Sequence, residues 1–302
     1  MLNDRLVHLE NIRVDAIHFL QKFHTTVDVL RLDLIHPVIS GNKWFKLKEY
    51  LREAQAVNKK IILTFGGAYS NHIVATAASA KENGFKSIGI IRGEKPTVLS
   101  HTLLQAMSYG MDLFFISRED YKRKFIPPLV LDRYNKEEIY IINEGGYGEK
   151  GVEGAKDILH QIDSSSYTHI LDALGTGTTV AGLIESSAKH QTIIGVSSLK
   201  NNFSLQQEIE WFLSKENRQR FQLIHDYHFG GYAKYTQELI DFMNEWYRQT
   251  NIPSDFVYTG KLFFAVNDLL EKNFFPPNSK LLIIHSGGLQ GNQSLPKGTL
   301  IF

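Results

Sequence analysis

The sequence contains no cysteine, which removes disulfides, thiolate metal sites and a cysteine nucleophile together. It also lacks an excess of either charge: 33 Lys and Arg face 32 Asp and Glu, a formal net charge of +1. No nucleic-acid or anionic-membrane partner is therefore announced. No stretch approaches the roughly 20 apolar residues of a membrane-spanning helix. The first twenty residues, MLNDRLVHLENIRVDAIHFL, break their apolar positions with charges. They offer no small-residue cleavage site and do not read as a secretory signal. Soluble and cytoplasmic is the expectation. The twelve histidines show no HExxH-type spacing, so no catalytic metal is expected. Repeats of fixed period, low-complexity tracts and Pro/Ser-rich linkers are missing too.

What is present is globular: hydrophobic residues make up 43% and charged residues 22% of 302, which excludes wholesale disorder. That length suits one large α/β domain or two intimate ones. Short β-branched runs alternate with segments of helical period. Strands are expected at 27–32, 61–65, 87–91, 111–116, 138–143, 168–174, 192–196 and 281–285. The clearest helices fall at 43–55, 70–83, 152–162, 178–189, 235–247 and 263–272. Fully apolar strands in strand–helix alternation argue α/β architecture, with parallel sheets covered on both faces. Their number favours two domains. Segment 117–136 reads as a surface connection with a short helix. Segment 201–220, with Trp211 and Phe212 at its centre, reads as an amphipathic helix against the core or a subunit contact, and Trp246 as core.

Three glycine turns follow strands. In LDALGTGTTVAG (171–182), Gly175 and Gly177 allow close backbone approach, Thr176, Thr178 and Thr179 offer hydroxyls, and a helix begins. A phosphate monoester would sit well there, although a Thr-rich helix cap needs no ligand. The turn is neither a Walker loop nor a GxGxxG pattern, since no Gly-Lys-Ser/Thr follows and Val180 stands at the last glycine. In FGGAYSNH (65–72), Ser70, Asn71 and His72 open a helix and can grip a carboxylate, or Ser70 can simply cap it. IHSGGLQG (284–291) places Ser286 at the carboxyl end of the last strand, where open α/β sheets collect ligands.

The segment SGNKWFKLKEYL (40–51) puts Lys43 in a first helical turn. There the helix dipole disfavours a cation and lowers the amine's pKa. Such a lysine gains little stability from its position, whereas an amine that must lose a proton to attack an aldehyde benefits. An amine, a phosphate cup, a carboxylate grip and a hydroxyl at a strand end are together the parts of a pyridoxal-phosphate site.

Taken with Gly231–Tyr232 and VYTGK (257–261), these motifs make the chain similar to the 1-aminocyclopropane-1-carboxylate (ACC) deaminase / D-cysteine desulfhydrase family. The resemblance runs from about residue 27 to residue 288. It implies a two-domain, tryptophan-synthase-β-like fold (fold type II): 1–53 and 148–302 form the larger domain, and 54–147 an inserted smaller one. It implies pyridoxal 5'-phosphate joined to Lys43. Thr176, Gly177, Thr178, Thr179 and Lys46 would hold the phosphate, and Asn71 the phenolic oxygen. Ser70, Asn71 and His72 would meet the substrate, and Tyr232 and Tyr258 would assist proton transfer as the family's active-site tyrosines. A homodimer acting on a small amino acid is implied as well.

The family's ACC deaminases carry Glu where this chain has Thr259 and an apolar residue where it has Ser286. The desulfhydrase branch resembles the present pattern. Hydroxyl partners from Thr259 and Ser286 would leave the cofactor's ring nitrogen neutral and its electron sink weak, which suits β-elimination. The resemblance thus implies D-cysteine desulfhydrase-type elimination to pyruvate, ammonia and sulfide. ACC deaminase and a catalytically inactive pyridoxal-phosphate-binding protein remain as alternatives. Trp44 and Phe45 replace the family's Thr-Arg, and Val74 replaces a basic residue, so a bulkier, less cationic wall beside the ring is expected.

Overall fold

The computed structural model describes residues 7–302, with the backbone alone described at residues 21–23. The start of the 1–53 segment and of the leader reading, residues 1–6, lies outside the described residues. Among the described residues ten strands form two sheets. They are β1 (Val14–Ala16), β2 (Thr26–Arg31), β3 (Ile61–Gly66), β4 (Lys86–Arg92), β5 (Met111–Ile116) and β6 (Ile139–Ile142). The rest are β7 (His169–Leu174), β8 (Thr192–Ser197), β9 (Phe221–Ile224) and β10 (Lys280–His285). The larger sheet runs β1-β2-β10-β7-β8-β9 and the smaller β5-β4-β3-β6. Only β1 is antiparallel to its neighbour among these pairings. The smaller sheet is built wholly from chain lying between β2 and β7.

The helices are α1 (Asn42–Ala56), α2 (Asn71–Glu82), α3 (His101–Ser108), α4 (Arg118–Lys122), α5 (Pro128–Arg133) and α6 (Glu149–Lys156). They continue with α7 (Thr178–Ser186), α8 (Leu205–Glu210), α9 (Gln237–Thr250) and α10 (Thr259–Glu271). Alternation along each strand decides which face it covers. Ile170 and Leu174 of β7 join the core under α1, α6 and α7. Leu171 and Ala173 join the opposite core under α10.

Helix α1 is buried on two sides. Trp44 and Phe45 enter the core of the larger sheet, and Leu47, Leu51 and Ala54 enter that of the smaller one. The expected wall of Trp44, Phe45 and Val74 beside a bound ring is therefore corrected: all three are core residues, at most 2% exposed. Their size fills the seam between the sheets.

Most expected elements lie within a few residues of their places, and the differences have local causes. Strands β1 and β9 went unread because three and four residues are too few to show a period. Helix α10 starts four residues earlier than expected, because the Asp255 carboxylate accepts the backbone N–H groups of Val257, Tyr258 and Thr259. Helix α7 stops at Ser186, where Ser187 turns extended. Trp246 is core, stacked on Phe263 at 4.4 Å. Trp211 is not: only Leu205 and Ile209 of α8 are buried, and the indole is 79% exposed.

Close helix contact holds α1 in place. A Cβ on Gly154 of α6 would lie 1.9 Å from the Phe45 carbonyl oxygen of α1. Gly154→Ala is expected to lower stability by about 2–3 kcal/mol, because backbone must move to admit one methyl group. A urea titration checks this: the midpoint should fall while the slope is unchanged.

Candidate active site

Lys43 is placed by a backbone contact that only glycine permits. Gly41 sits at φ +61°, and a Cβ there would lie 2.0 Å from the Ser286 carbonyl oxygen. The Asn42 N–H donates to that same oxygen at 3.3 Å. The Asn42 amide also donates to Thr179 Oγ1 at 3.0 Å. The lysine segment, the Ser286 turn and the Thr/Gly turn are thereby tied into one unit at the carboxyl ends of β7 and β10.

These turns and the start of α2 surround a cavity of about 400 Å³ that includes Lys43, Lys46, Ser70, Asn71, Thr176 and Ser286 in its wall. Its volume is that of a small-molecule site. Gly177 caps α7 at φ +72°, where a side chain would strike Ile209. The first N–H groups of α7 have no partner within the helix, as at any helix start, and face an anion favourably. Thr176 and Thr178 join hydroxyls at 3.0 Å. Thr178 is fully buried, so its contribution to the cup is its backbone N–H.

The electrostatics are those of two buried lysines close to buried carboxylates. The Lys43 ammonium donates to Asn42 Oδ1 at 2.8 Å, and burial brings its pKa down to about 8 against the upward pull of Asp172 and Asp255. Lys46, one turn on, is held well below its usual value by burial and by Lys43. Asp172, in the cavity wall at β7, was not singled out from the sequence. It is fully buried, and burial raises its pKa to about 7 against the downward pull of the Ala173 N–H and of Lys46 and Lys43. No motif marks it: it is one acid in an apolar strand, and only the fold brings two lysines near.

Ser70 caps α2, its hydroxyl accepting the Ile73 N–H at 3.4 Å. Asn71 Oδ1 is buried without a partner. Two sequence expectations need correction. His72 is 2% exposed, and its Nε2 lies 2.8 Å from Thr64 Oγ1, which itself donates to the Ile142 carbonyl. The imidazole N–H is thus spent on Thr64. Burial and nearby lysines keep the ring neutral, so the His72 side chain has no donor left for a substrate carboxylate. What the residue offers the cavity it lines is its backbone N–H in the first turn of α2. Thr259 is fully buried, outside the cavity wall, and its hydroxyl donates to Asp255 Oδ2 at 2.8 Å. That proton is unavailable to a cofactor ring, which leaves Ser286 as the hydroxyl of the pair that faces the cavity.

Tyr232 and Tyr258 meet edge to face at 6.2 Å in the same wall. Burial raises both phenols, Tyr258 well above the ordinary value. Lys261 of the VYTGK segment explains its place in that motif: its buried ammonium donates to the carbonyls of His228 and Gly231, each at 2.8 Å. It thus fixes the turn that carries Tyr232.

Lys261→Met would strand two carbonyls, so a stability loss of about 3 kcal/mol is expected on thermal or urea unfolding. Asp172→Asn removes a charge that pulls the Lys43 amine upward. Acylation of Lys43 by an amine-selective reagent in ligand-free protein should rise through about pH 8 in the native chain and at lower pH in the variant. Peptide mass spectrometry across a pH series reads both.

No protein-family model matches the chain. A Thermotoga maritima protein provisionally named as an ACC deaminase is 30% identical over 293 residues, covering 90% of this chain and 91% of its own. The Arabidopsis thaliana bifunctional D-cysteine desulfhydrase/ACC deaminase is 27% identical over 299 residues, covering 88% and 73%. Among solved structures, an ACC deaminase homologue superposes with a TM-score of 0.80 at 25% identity, over 93% of this chain and 90% of that one. Threonine deaminase isoform 2 of Solanum lycopersicum shares the fold at 13% identity, with a TM-score of 0.66 over 94% and 84%. The chain has the α/β architecture of fold type II, and it belongs to the pyridoxal-phosphate-dependent ACC deaminase / D-cysteine desulfhydrase family.

Proposed function

We propose that the protein is a pyridoxal-phosphate-dependent lyase that eliminates the β-substituent of a small amino acid. D-cysteine, giving pyruvate, ammonia and sulfide, is the leading substrate. The observation that carries this reading is the Lys43 amine, brought near neutrality by burial, in one cavity with the Thr/Gly cup. The donor set fits the cofactor. Thr176, Gly177, Thr178 and Thr179 offer hydroxyls and helix-start N–H groups to a phosphate dianion, and Lys46 would regain its proton beside it. Asn71 Oδ1, buried without a partner among the described residues, can accept a hydrogen bond from a phenolic hydroxyl. When bound, the cofactor supplies an aldehyde for an amine and an electron sink for the bond-breaking step.

The protein's own groups divide the remaining work. Ser70 and the N-terminus of α2 attract the substrate carboxylate. Lys43, whose pKa burial lowers to about 8, gives up its proton more readily than an exposed lysine and would be the base for the α-proton. Tyr232 and Tyr258, raised by burial, stay protonated and act as donors. Ser286 offers a ring nitrogen a neutral hydroxyl. The Asp255 carboxylate, 3.3 Å from where a Cβ on Gly288 would be, is spent on the N–H groups of Val257, Tyr258 and Thr259, so the ring nitrogen stays neutral. A weak sink suffices to expel a thiol and serves cyclopropane opening poorly.

Purified protein given the cofactor should be yellow, with an absorption band that borohydride traps and Lys43→Ala abolishes. Protein that takes up no cofactor refutes the reading. Pyruvate should form from D-cysteine faster than 2-oxobutyrate from ACC, and the reverse order would replace elimination by ACC deamination.

A further inference from the structure

At the cavity mouth lie cations that the proposed elimination does not use. Arg92, the last residue of β4, shares the cavity wall with Glu144, and both also line an adjoining groove with Arg118, Tyr121, Lys122 and Lys124. The Arg92 guanidinium stands 5.5 Å from the centre of the Tyr121 ring. Its Nη2 is 3.3 Å from where a Cβ on Gly67 would be, against the segment that leads to Ser70. Among the described residues it forms no ion pair. Lys124 covers the same tyrosine ring at 4.3 Å and pairs with Glu144 at 2.8 Å. Tyr121 is 3% exposed, and its buried hydroxyl faces the Glu144 carboxylate.

Four cations thus face one carboxylate, with a buried phenol behind them. An aromatic face holds a guanidinium in place, and its planar fork takes a carboxylate or phosphate in two hydrogen bonds. On the reading above, the substrate's α-carboxylate already has its place at Ser70 and the start of α2. An unpaired arginine on the same cavity wall is then free for a second anion.

We propose that Arg92, held over the Tyr121 ring beside Lys124, determines specificity by taking an anionic group on the substrate side chain. The site would therefore bind amino acids with an acidic side chain more tightly than neutral ones of similar size, D-cysteine among them, while the elimination chemistry proposed above is unchanged. This inference rests on the pyridoxal-phosphate reading.

The test is a binding titration on protein carrying its cofactor, followed by the change in cofactor absorbance. The probes are both enantiomers of O-phosphoserine against serine, and of aspartate against asparagine. In the native chain at least one anionic probe should bind roughly tenfold or more tighter than its neutral counterpart, the scale of a charge-assisted pair. Arg92→Met should remove most of that preference while changing the affinity of the neutral probes less than about threefold. Equal affinity for anionic and neutral probes overturns the inference and leaves the cofactor reading standing. A loss shared equally by both probe classes overturns it too, and assigns Arg92 to the α-carboxylate. Protein that binds no cofactor brings down both.

Discussion

The arrangement depends on one close approach, that of Gly41 to the Ser286 carbonyl. A strand end can offer a hydroxyl and a helix start can offer N–H groups, but neither does chemistry until an amine stands between them. The 2.0 Å separation that a Cβ would have from Ser286 O means that only glycine's backbone fits, and its φ of +61° aims α1 into the seam between the sheets. Asn42 then ties that helix start to Thr179, so the amine and the anion cup share one geometry. Lys43 is accurately placed because the contacts around it are backbone contacts, with little side-chain freedom to lose.

Charge explains why the cavity needs a ligand to be at ease. Lys46, His72 and Asp172 are buried and Lys43 partly so, and desolvation drives each toward its neutral form. A dianion in the Thr/Gly cup reverses that for Lys46, because a neighbouring negative charge favours the ammonium. The same dianion disfavours an ionised Asp172. On the proposed reading the cup and its surroundings are complementary to a phosphate.

The parts of the site that repeat a local rule were legible in the sequence. Glycine turns after apolar strands, a lysine in a first helical turn and a serine cap each carry their signal within a few residues. What stayed hidden is set by contacts between distant segments. Asp172 reads as one acid in a strand, and Arg92 as a charge at a strand end. Thr259 was read as a cofactor partner because nothing local shows that Asp255, four residues earlier, takes its proton. His72 was read as a substrate contact because its neighbour Thr64 lies on another element. Trp211 failed for a different reason: with only Leu205 and Ile209 of its helix facing inward, the indole falls on the solvent side.

The two sides of the cavity are built differently, and this bears on how substrate choice can vary. The cofactor side is made of tight backbone turns locked to the ends of β7 and β10. The opposite side includes a turn in which Phe229, Gly230, Gly231 and Ala233 all have positive φ, a conformation that costs energy at the two non-glycine positions. Lys261 holds that turn through two carbonyls, and Tyr232, 40% exposed, projects from it. Arg92 and Glu144 come from yet other segments, each ending a strand or following one. Exchanging residues on this side alters what is recognised without disturbing the Gly41–Ser286 contact. On the proposed reading, a chain can keep its chemistry at Lys43 while its preference for the amino-acid side chain is reset at the mouth.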